Sequence, residues 1–547
     1  MRIEATGRVT VNGSILANGG STSANWSHYE TAGAGGSIWI DAASVGGLGV
    51  IAAEGGKGAS PELPLIRYYN RKAGFDHFPA GGGRIAIYTE AAAQAANPAA
   101  GLYVSAAEGT YQGRGTGTRS YGFADSDWNC VGAEPGTVYL SNPTLLYQLF
   151  GSGLSGRLVG VPSLTFDSDT TMTHGHVRSD EEGFTVTVDG NLTIDGDARL
   201  DVGGVCMTNR MLTAEVWAGR VPNKISICGD LVLRNGGALE INAAETNAVT
   251  TWGGEVVVSG SVFVHDGGRL IATCDQENLG APRFSIGGNF TVEAGGVVSA
   301  DGRGGLGGSY HASTSFNVNH ESGFGPGAGR GMGSGGYGGM GGCGGAPRWD
   351  GLEEDRGRTY GDEWLPDMCG SGGGEQVAKS GGSGGGLIFV EAGGAVTVDG
   401  VVTANGFGCG SSAIAGSGNL FRPHAGSGGG IYLCGETFAG TGMIMAKGGD
   451  AVNELDVGSQ APGGGGRIAV RTGYAKQLAG KRVKVLKVGE TIPGFVGVAT
   501  AGGGSLFKRI DRSEDVLFIP EGYRAPGDGT IRYSQIVDAP GFSVTVR

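Results

Sequence analysis

The segment Phe184-Thr-Val-Thr-Val-Asp-Gly-Asn-Leu-Thr-Ile-Asp-Gly196 places an apolar side chain at every second position of two short runs and closes each run with Asp-Gly. Three later segments repeat it: Ile225-Ser-Ile-Cys-Gly-Asp-Leu-Val-Leu-Arg-Asn-Gly, Val256-Val-Val-Ser-Gly-Ser-Val-Phe-Val-His-Asp-Gly and Phe284-Ser-Ile-Gly-Gly-Asn-Phe-Thr-Val-Glu-Ala-Gly. Their matching glycines, Gly190, Gly229, Gly260 and Gly288, step by 39, 31 and 28 residues. Alternation over four to six residues is the signature of a strand, and glycine between strands suits corners that need φ > 0. Such runs are too short to stand as hairpins. Stacking each run on its counterpart one unit later turns one face of every strand into a shared core, and this predicts a parallel β-solenoid. The strand residues are Val, Ile, Leu, Phe and Thr, which suit a pleated, half-buried surface. The one helical candidate is Ala91–Ala100, cut short by Pro98. The expected class is all-β, with coils stacked at ~4.8 Å into an axis of roughly 50–60 Å.

A longer repeat organises the chain. Gly7-Arg-Val-Thr-Val-Asn-Gly-Ser-Ile-Leu-Ala-Asn-Gly matches Gly394-Ala-Val-Thr-Val-Asp-Gly-Val-Val-Thr-Ala-Asn-Gly, and Gly81-Gly-Gly-Arg-Ile-Ala-Ile-Tyr matches Gly464-Gly-Gly-Arg-Ile-Ala-Val-Arg. Gly183-Phe-Thr-Val-Thr-Val returns as Gly541-Phe-Ser-Val-Thr-Val. The chain therefore holds about one and a half copies of a module, divided into residues 1–150 (second half of a first copy), 151–300 (compact coils), 301–386 (a long glycine-rich insertion) and 387–547 (coils repeating 1–188). Neither end carries a polar cap, so a fragment of a larger repetitive protein is expected, with any signal peptide and anchor outside the given sequence.

Composition narrows the function classes. Glycine supplies 114 of 547 residues, yet hydrophobic residues still make up 39%. That glycine does not fall at every third position, which excludes collagen. A net charge of −13 argues against nucleic acid or an anionic membrane as the main partner. No apolar stretch is long enough for a membrane-spanning helix. The eight cysteines lack metal-site spacing.

Five excursions, Ala17 to Gly36, Ala53 to Gly83, Ala300 to Gly386, Ala404 to Gly430 and Ala446 to Gly466, open on an Ala-Xaa-Gly signature and end in a glycine cluster. A common entry and exit predicts that all leave one corner and share one side of the rod. The tract Gly325 to Gly345 holds 13 glycines in 21 residues, and alone it cannot bury enough surface to offset its ordering entropy. Of seven tryptophans only Trp39 falls in a predicted strand. Trp26, Tyr29, Tyr68, Tyr69, Trp349, Tyr360 and Trp364 are the candidate ligand-binding residues, as platforms for sugar rings or a protein partner. The competing reading is that each loop packs its own rings onto the coil.

Chemical motifs are thin. Asp167/Asp169, Asp125/Asp127 and Asp195/Asp197/Asp201 carry oxygens suited to calcium but lack EF-hand spacing, and they read as solvated turns. No other cofactor is expected. His174-Gly-His176, with Arg178, Asp180, Glu181 and Glu182, is the densest polar cluster, but the second copy has neither histidine, so no catalytic or metal-binding residue is assigned.

The runs Gly-Gly-Gly-Arg-Ile-Ala-Ile, Thr-Val-Asp-Gly-Val-Val-Thr-Ala-Asn-Gly and Gly-Asn-Leu-Thr-Ile-Asp-Gly resemble the glycine-rich repeats of very large bacterial surface or secreted proteins and, more loosely, autotransporter passengers and filamentous adhesins. The resemblance implies a right-handed parallel β-helix, an extracellular or cell-surface location, and a structural or adhesive role with glycans or cell-surface proteins as partners. One rival is a β-helix polysaccharide lyase or glycoside hydrolase, which needs charged residues stacked on one exposed strand face. The other is a self-assembling, tailspike-like fibre, marked by an exposed apolar stripe.

Overall fold

A computed structural model describes residues 1–21, 32–59, 80–99, 101–112, 133–151, 153–181, 183–203, 221–244, 252–276, 279–308, 322–331, 333–343, 353–374, 381–408, 424–454, 458–459, 461–508 and 523–539. Within them the backbone winds as a parallel β-helix whose three main sheets hold 16, 10 and 7 strands. In the compact coils each turn supplies three strands, as in Thr185–Val188, Leu192–Asp195 and Arg199–Val202. The next turn lies on it in parallel register, with Val186 over Ile225, Leu192 over Leu231 and Leu200 over Leu239. Those residues are fully buried, because alternate positions of all three strands point to one axis. Phe184, Phe284 and Phe290 are among the largest side chains fully buried there.

Two corners of the coil use different devices. Between the first and second strands, side-chain oxygens form a ladder along the rod. Asp169 accepts the backbone N–H of Asn191 (2.8 Å), Asn191 that of Asp230 (2.7 Å), Asp230 that of Ser261 (2.7 Å), Ser261 that of Asn289 (3.0 Å) and Asn289 that of Ala395 (2.8 Å). The expectation of φ > 0 fails at the glycines of this corner, since Gly190, Gly229, Gly260 and Gly288 are not left-handed. They are glycine because the coils approach closely there: a Cβ on Gly229 would strike the Asn191 carboxamide. The corner between the second and third strands does need the left-handed region, with φ of 66° at Gly196 and 105° at Gly236.

Helix replaces the middle strand in two coils, at Ala91–Ala96 and Pro143–Leu149, whereas the helix Tyr474–Leu478 opens an insertion after which Phe495 returns over the middle strand Phe438–Ala439. The sequence reading anticipated only the first. The second begins with Asn142 accepting the Leu145 N–H (3.2 Å) and Pro143 in its first turn, a start signal that was available. Strand Leu154–Leu158 then merges two ladders. Leu154 and Ser155 pair with Val104 and Ser105, whereas Arg157 and Leu158 pair with Thr137 and Val138. Gly156, at φ 144°, makes the bend between the two.

The excursions all leave the third corner. At each base a glycine N–H closes on an alanine carbonyl at 2.6–2.7 Å: Gly36 on Ala17, Gly83 on Ala53, Gly136 on Ala106, Gly386 on Ala300, Gly429 on Ala404, Gly466 on Ala446 and Gly529 on Ala501. Beyond these latches the glycine tracts of the second copy are woven together. Gly304 donates to Gly384, Gly384 to Gly305, Gly305 to Gly370, Gly370 to Gly385 and Gly385 to Ser427, over 2.7–2.9 Å. Gly338 of the long tract donates to Gly465 (2.9 Å), and Gly464 to Gly335 (2.9 Å). Each extended segment thus bonds to several neighbours, and most of residues 333–343 are buried. The tract, which alone could not bury enough surface, is buried among other segments, and its backbone groups satisfy one another across them, which needs no side chains. A Cβ on Gly385 would strike the Ala404 carbonyl, so the lattice demands glycine.

Candidate functional site

The outer face of the first strands at the amino-terminal end carries a row of rings. Strands Ser37–Asp41, Arg84–Tyr88 and Thr137–Leu140 turn Ile38, Ile40, Ile85, Ile87, Val138 and Leu140 inward, so Trp39, Tyr88 and Tyr139 stand on the opposite face. Ring centroids are 5.6 Å apart for Trp39–Tyr88 and 5.3 Å for Tyr88–Tyr139, each pair tilted by 46°. The Arg2 guanidinium caps the row 4.5 Å from the Trp39 ring. Tyr88 keeps 37% of its surface exposed. Ala86 pairs with both Trp39 and Tyr139, which leaves a shallow step between the two larger residues.

The same sheet continues into a column of charges. Arg84, Thr137, Arg157, Arg178, Asp201 and Glu240 follow one another in register over successive coils. Around the last of them, His176 Nε2 lies 2.8 Å from Asp201 Oδ2, and its Nδ1 3.4 Å from Glu108 Oε1 of an excursion. Arg199 Nε is 2.6 Å from Asp201 Oδ1, and Arg199 also pairs with Glu240. Glu240 is further held by Arg303 and by the Thr273 hydroxyl (2.9 Å). Asp201 and Glu240 are like-charged neighbours in register, and around them three acids, counting Glu108, face the three bases His176, Arg199 and Arg303. The Asp201 and Glu240 side chains are each only 6% exposed. Burial alone would push the Asp201 carboxyl up, but Arg199 and His176 outweigh it and hold it below the usual carboxylate range. Burial likewise opposes charge on Glu240, and Arg303 and Arg199 overcome it. Burial disfavours the His176 imidazolium, yet Asp201 and Glu108 raise its pKa above the ordinary value.

Charges do therefore stack on adjacent coils, as a hydrolase or lyase groove would need, but on a covered face. Neither buried acid at its centre is kept protonated to serve as a general acid. His174 pairs separately with Asp197 (2.6 Å), so the two histidines converge on no common point. The carboxylates weighed for calcium are likewise divided, with Asp169 on Asn191 and Asp195 on Arg234. Asp125 and Asp127 lie outside the described residues. Among the described residues no group of three or more His, Cys, Asp or Glu could hold a metal ion.

Of the ring residues singled out from the sequence, Trp26, Tyr29, Tyr68, Tyr69 and Trp349 lie outside the described residues. Tyr360 and Trp364 belong to the return arm of the long excursion, which lies across the outer face of the second copy. The Tyr360 ring leans on Tyr337 (4.7 Å), and its backbone carbonyl accepts from Arg467 Nη2 (2.7 Å). Trp364 has Lys487 4.9 Å and Arg532 5.6 Å from its ring and donates Nε1–H to Glu363 (2.9 Å). Beneath the arm, Phe389 and Tyr432 stack at 4.5 Å, 4% and 1% exposed, in one cluster with Cys369 and Leu365. The outward row at Trp39, Tyr88 and Tyr139, of which Tyr88 is exposed, was not among the sequence candidates. Its signal was available: Trp39, Tyr88 and Tyr139 each alternate with buried apolar residues in a strand, which points them to solvent.

Compared with known proteins, the chain matches no family model and no curated protein.

Proposed function

We propose that the chain is a non-catalytic rod of a large repetitive surface or secreted bacterial protein, and that it grips glycans through the row Trp39, Tyr88 and Tyr139. The observation that carries this reading is the row itself: the Tyr88 ring touches both Trp39 and Tyr139 on the outer sheet face, along the rod, and Tyr88 is exposed. Aromatic rings bury the apolar faces of sugars, while neighbouring polar groups take their hydroxyls. Arg84, in register with Ser37 and Thr137 beside the row, adds a positive group suited to an acidic sugar. Cell-surface location follows from the resemblance of the repeats.

A glycan array probed with the purified protein tests the proposal. Binding to extended polysaccharides that weakens on Trp39→Ala and Tyr88→Ala supports it. Binding unaffected by either substitution, or no binding at all, overturns it. The stacked charges at Arg157, Arg178, Asp201 and Glu240 favour a second reading, a polysaccharide-cleaving enzyme. Chain shortening or unsaturated products on a polysaccharide panel, lost in Asp201→Asn, would establish that activity. The exposed register neighbours Met443 and Val498, 42% and 58% accessible, are the feature that favours a self-assembling fibre. Sedimentation of the intact chain at rising concentration decides that point.

A further inference from the structure

Cys274 and Cys369 are far apart in sequence and together in space. Cys274 directly follows the strand Arg269–Thr273 of the compact coils, whereas Cys369 sits in the return arm of the long excursion. The backbone brings both to one segment: Cys274 N donates to the Arg303 carbonyl (3.0 Å), and Gly305 N donates to the Gly370 carbonyl (2.9 Å). Leu306 N adds a bond to the Gln276 carbonyl (3.0 Å), and Gly370 N one to Gly385 (2.7 Å). Segments 274–276, 303–306, 369–370 and 384–385 are thereby laced side by side. Both cysteines are fully buried in one cluster with Ala281, Leu387, Phe389 and Tyr432. Both are thiols in the structure, and the neighbouring Cys369 thiol, together with burial, raises the Cys274 pKa well above its ordinary value.

We infer that Cys274 and Cys369 form a disulfide when the chain folds in an oxidising compartment, fastening the foot of the longest excursion to the coil. The inference does not depend on the glycan reading. A low-molecular-weight disulfide such as oxidised glutathione is the oxidant. One protein thiolate attacks it, forming a mixed disulfide and releasing one glutathione thiolate. The second protein thiolate then attacks the protein sulfur of that bond and releases the other. Two thiols are oxidised, one glutathione disulfide is reduced to two thiols, and two protons end on the released glutathione. The reaction takes place before the site closes, because the finished fold buries both sulfurs. Cys434 shares the cluster, but it stands in the strand Gly430–Cys434, with Cys434 in register with Glu391 and Arg471. It is expected to stay a thiol.

Such a crosslink acts mainly by restricting the unfolded chain, and the loop it closes is long. The full chain is refolded in a glutathione redox buffer and acid-quenched, its remaining thiols are alkylated in denaturant, and peptides are mapped by mass spectrometry without reduction. The expected result is a linked pair of peptides containing Cys274 and Cys369, an alkylated Cys434, and a melting temperature that falls on reduction. The double variant Cys274→Ser/Cys369→Ser should melt where the reduced protein melts and should show no such fall. Recovery of both cysteines alkylated from folded protein, or a link from either to Cys434, overturns the inference.

Discussion

The same sheet face occurs twice in this molecule and meets two different fates. In the first copy Trp39 stands on strand Ser37–Asp41 and Tyr88 on strand Arg84–Tyr88, and the row is open. In the second copy Tyr432 and Arg471 occupy the matching positions of Gly430–Cys434 and Arg467–Thr472, and the return arm of residues 353–372 lies over them. Tyr432 is 1% exposed, whereas Trp39 at the matching position is half-buried and its neighbour Tyr88 is 37% exposed. The strands and their register are common to both. What differs is the excursion beside them, so whether a face is interior or surface is decided outside the repeat.

Substitutions sharpen that contrast. The largest effect belongs to the buried charge column that continues the open face: Arg199→Met leaves Asp201 and Glu240 short of a partner and should cost about 3–5 kcal/mol in chemical denaturation. Tyr432→Ala, on the covered face, empties a packed cluster and should cost about 3 kcal/mol by the same measurement. If it costs no more than Trp39→Ala, the two faces do not differ as described. Gly385→Ala forces a methyl onto the Ala404 carbonyl and should cost about 1–3 kcal/mol. On the open face, Trp39→Ala should change stability by only about 0.5 kcal/mol. It should still weaken glycan binding roughly tenfold, the equivalent of about 1.4 kcal/mol.

Proton linkage gives a smaller, graded test. An unfolded histidine titrates near about 6.5, and His176 titrates higher in the fold, between Asp201 and Glu108. Its contribution to stability is whole below the unfolded value and is lost as pH rises through the raised one. Melting temperature followed upward from neutral pH should therefore decline, and His176→Gln should flatten that decline. Asp201 behaves oppositely: its share is present above the ordinary carboxylate range and disappears as pH falls through its lowered pKa.

Much of the winding was legible in the alternation of Phe184 to Gly196, because a buried strand must show its period of two. The corners were less so. Gly190 and Gly196 both follow Asp, yet the first is needed for close approach and the second for a left-handed backbone. Nothing local separates those demands. The burial of residues 333–343 was hidden for another reason: their partners, such as Gly464 and Gly465, come from a different excursion, and glycine carries no pattern that marks a contact. Searching loops for rings put Tyr360 and Trp364 on the list and left out Trp39, although strand alternation already pointed Trp39 outward.

The alanine-to-glycine hydrogen bonds at the excursion feet have an engineering consequence. The closure at the foot is the same between Ala446 and Gly466 and between Ala300 and Gly386, although the spans differ several-fold and the longer one also packs on the coil through its return arm. Foreign cargo spliced between such a pair would enter and leave at a fixed azimuth, with neighbouring cargoes one coil rise apart. The molecule is thus a ready-made display scaffold, on which spacing is set by choosing the coil and chemistry by choosing the graft.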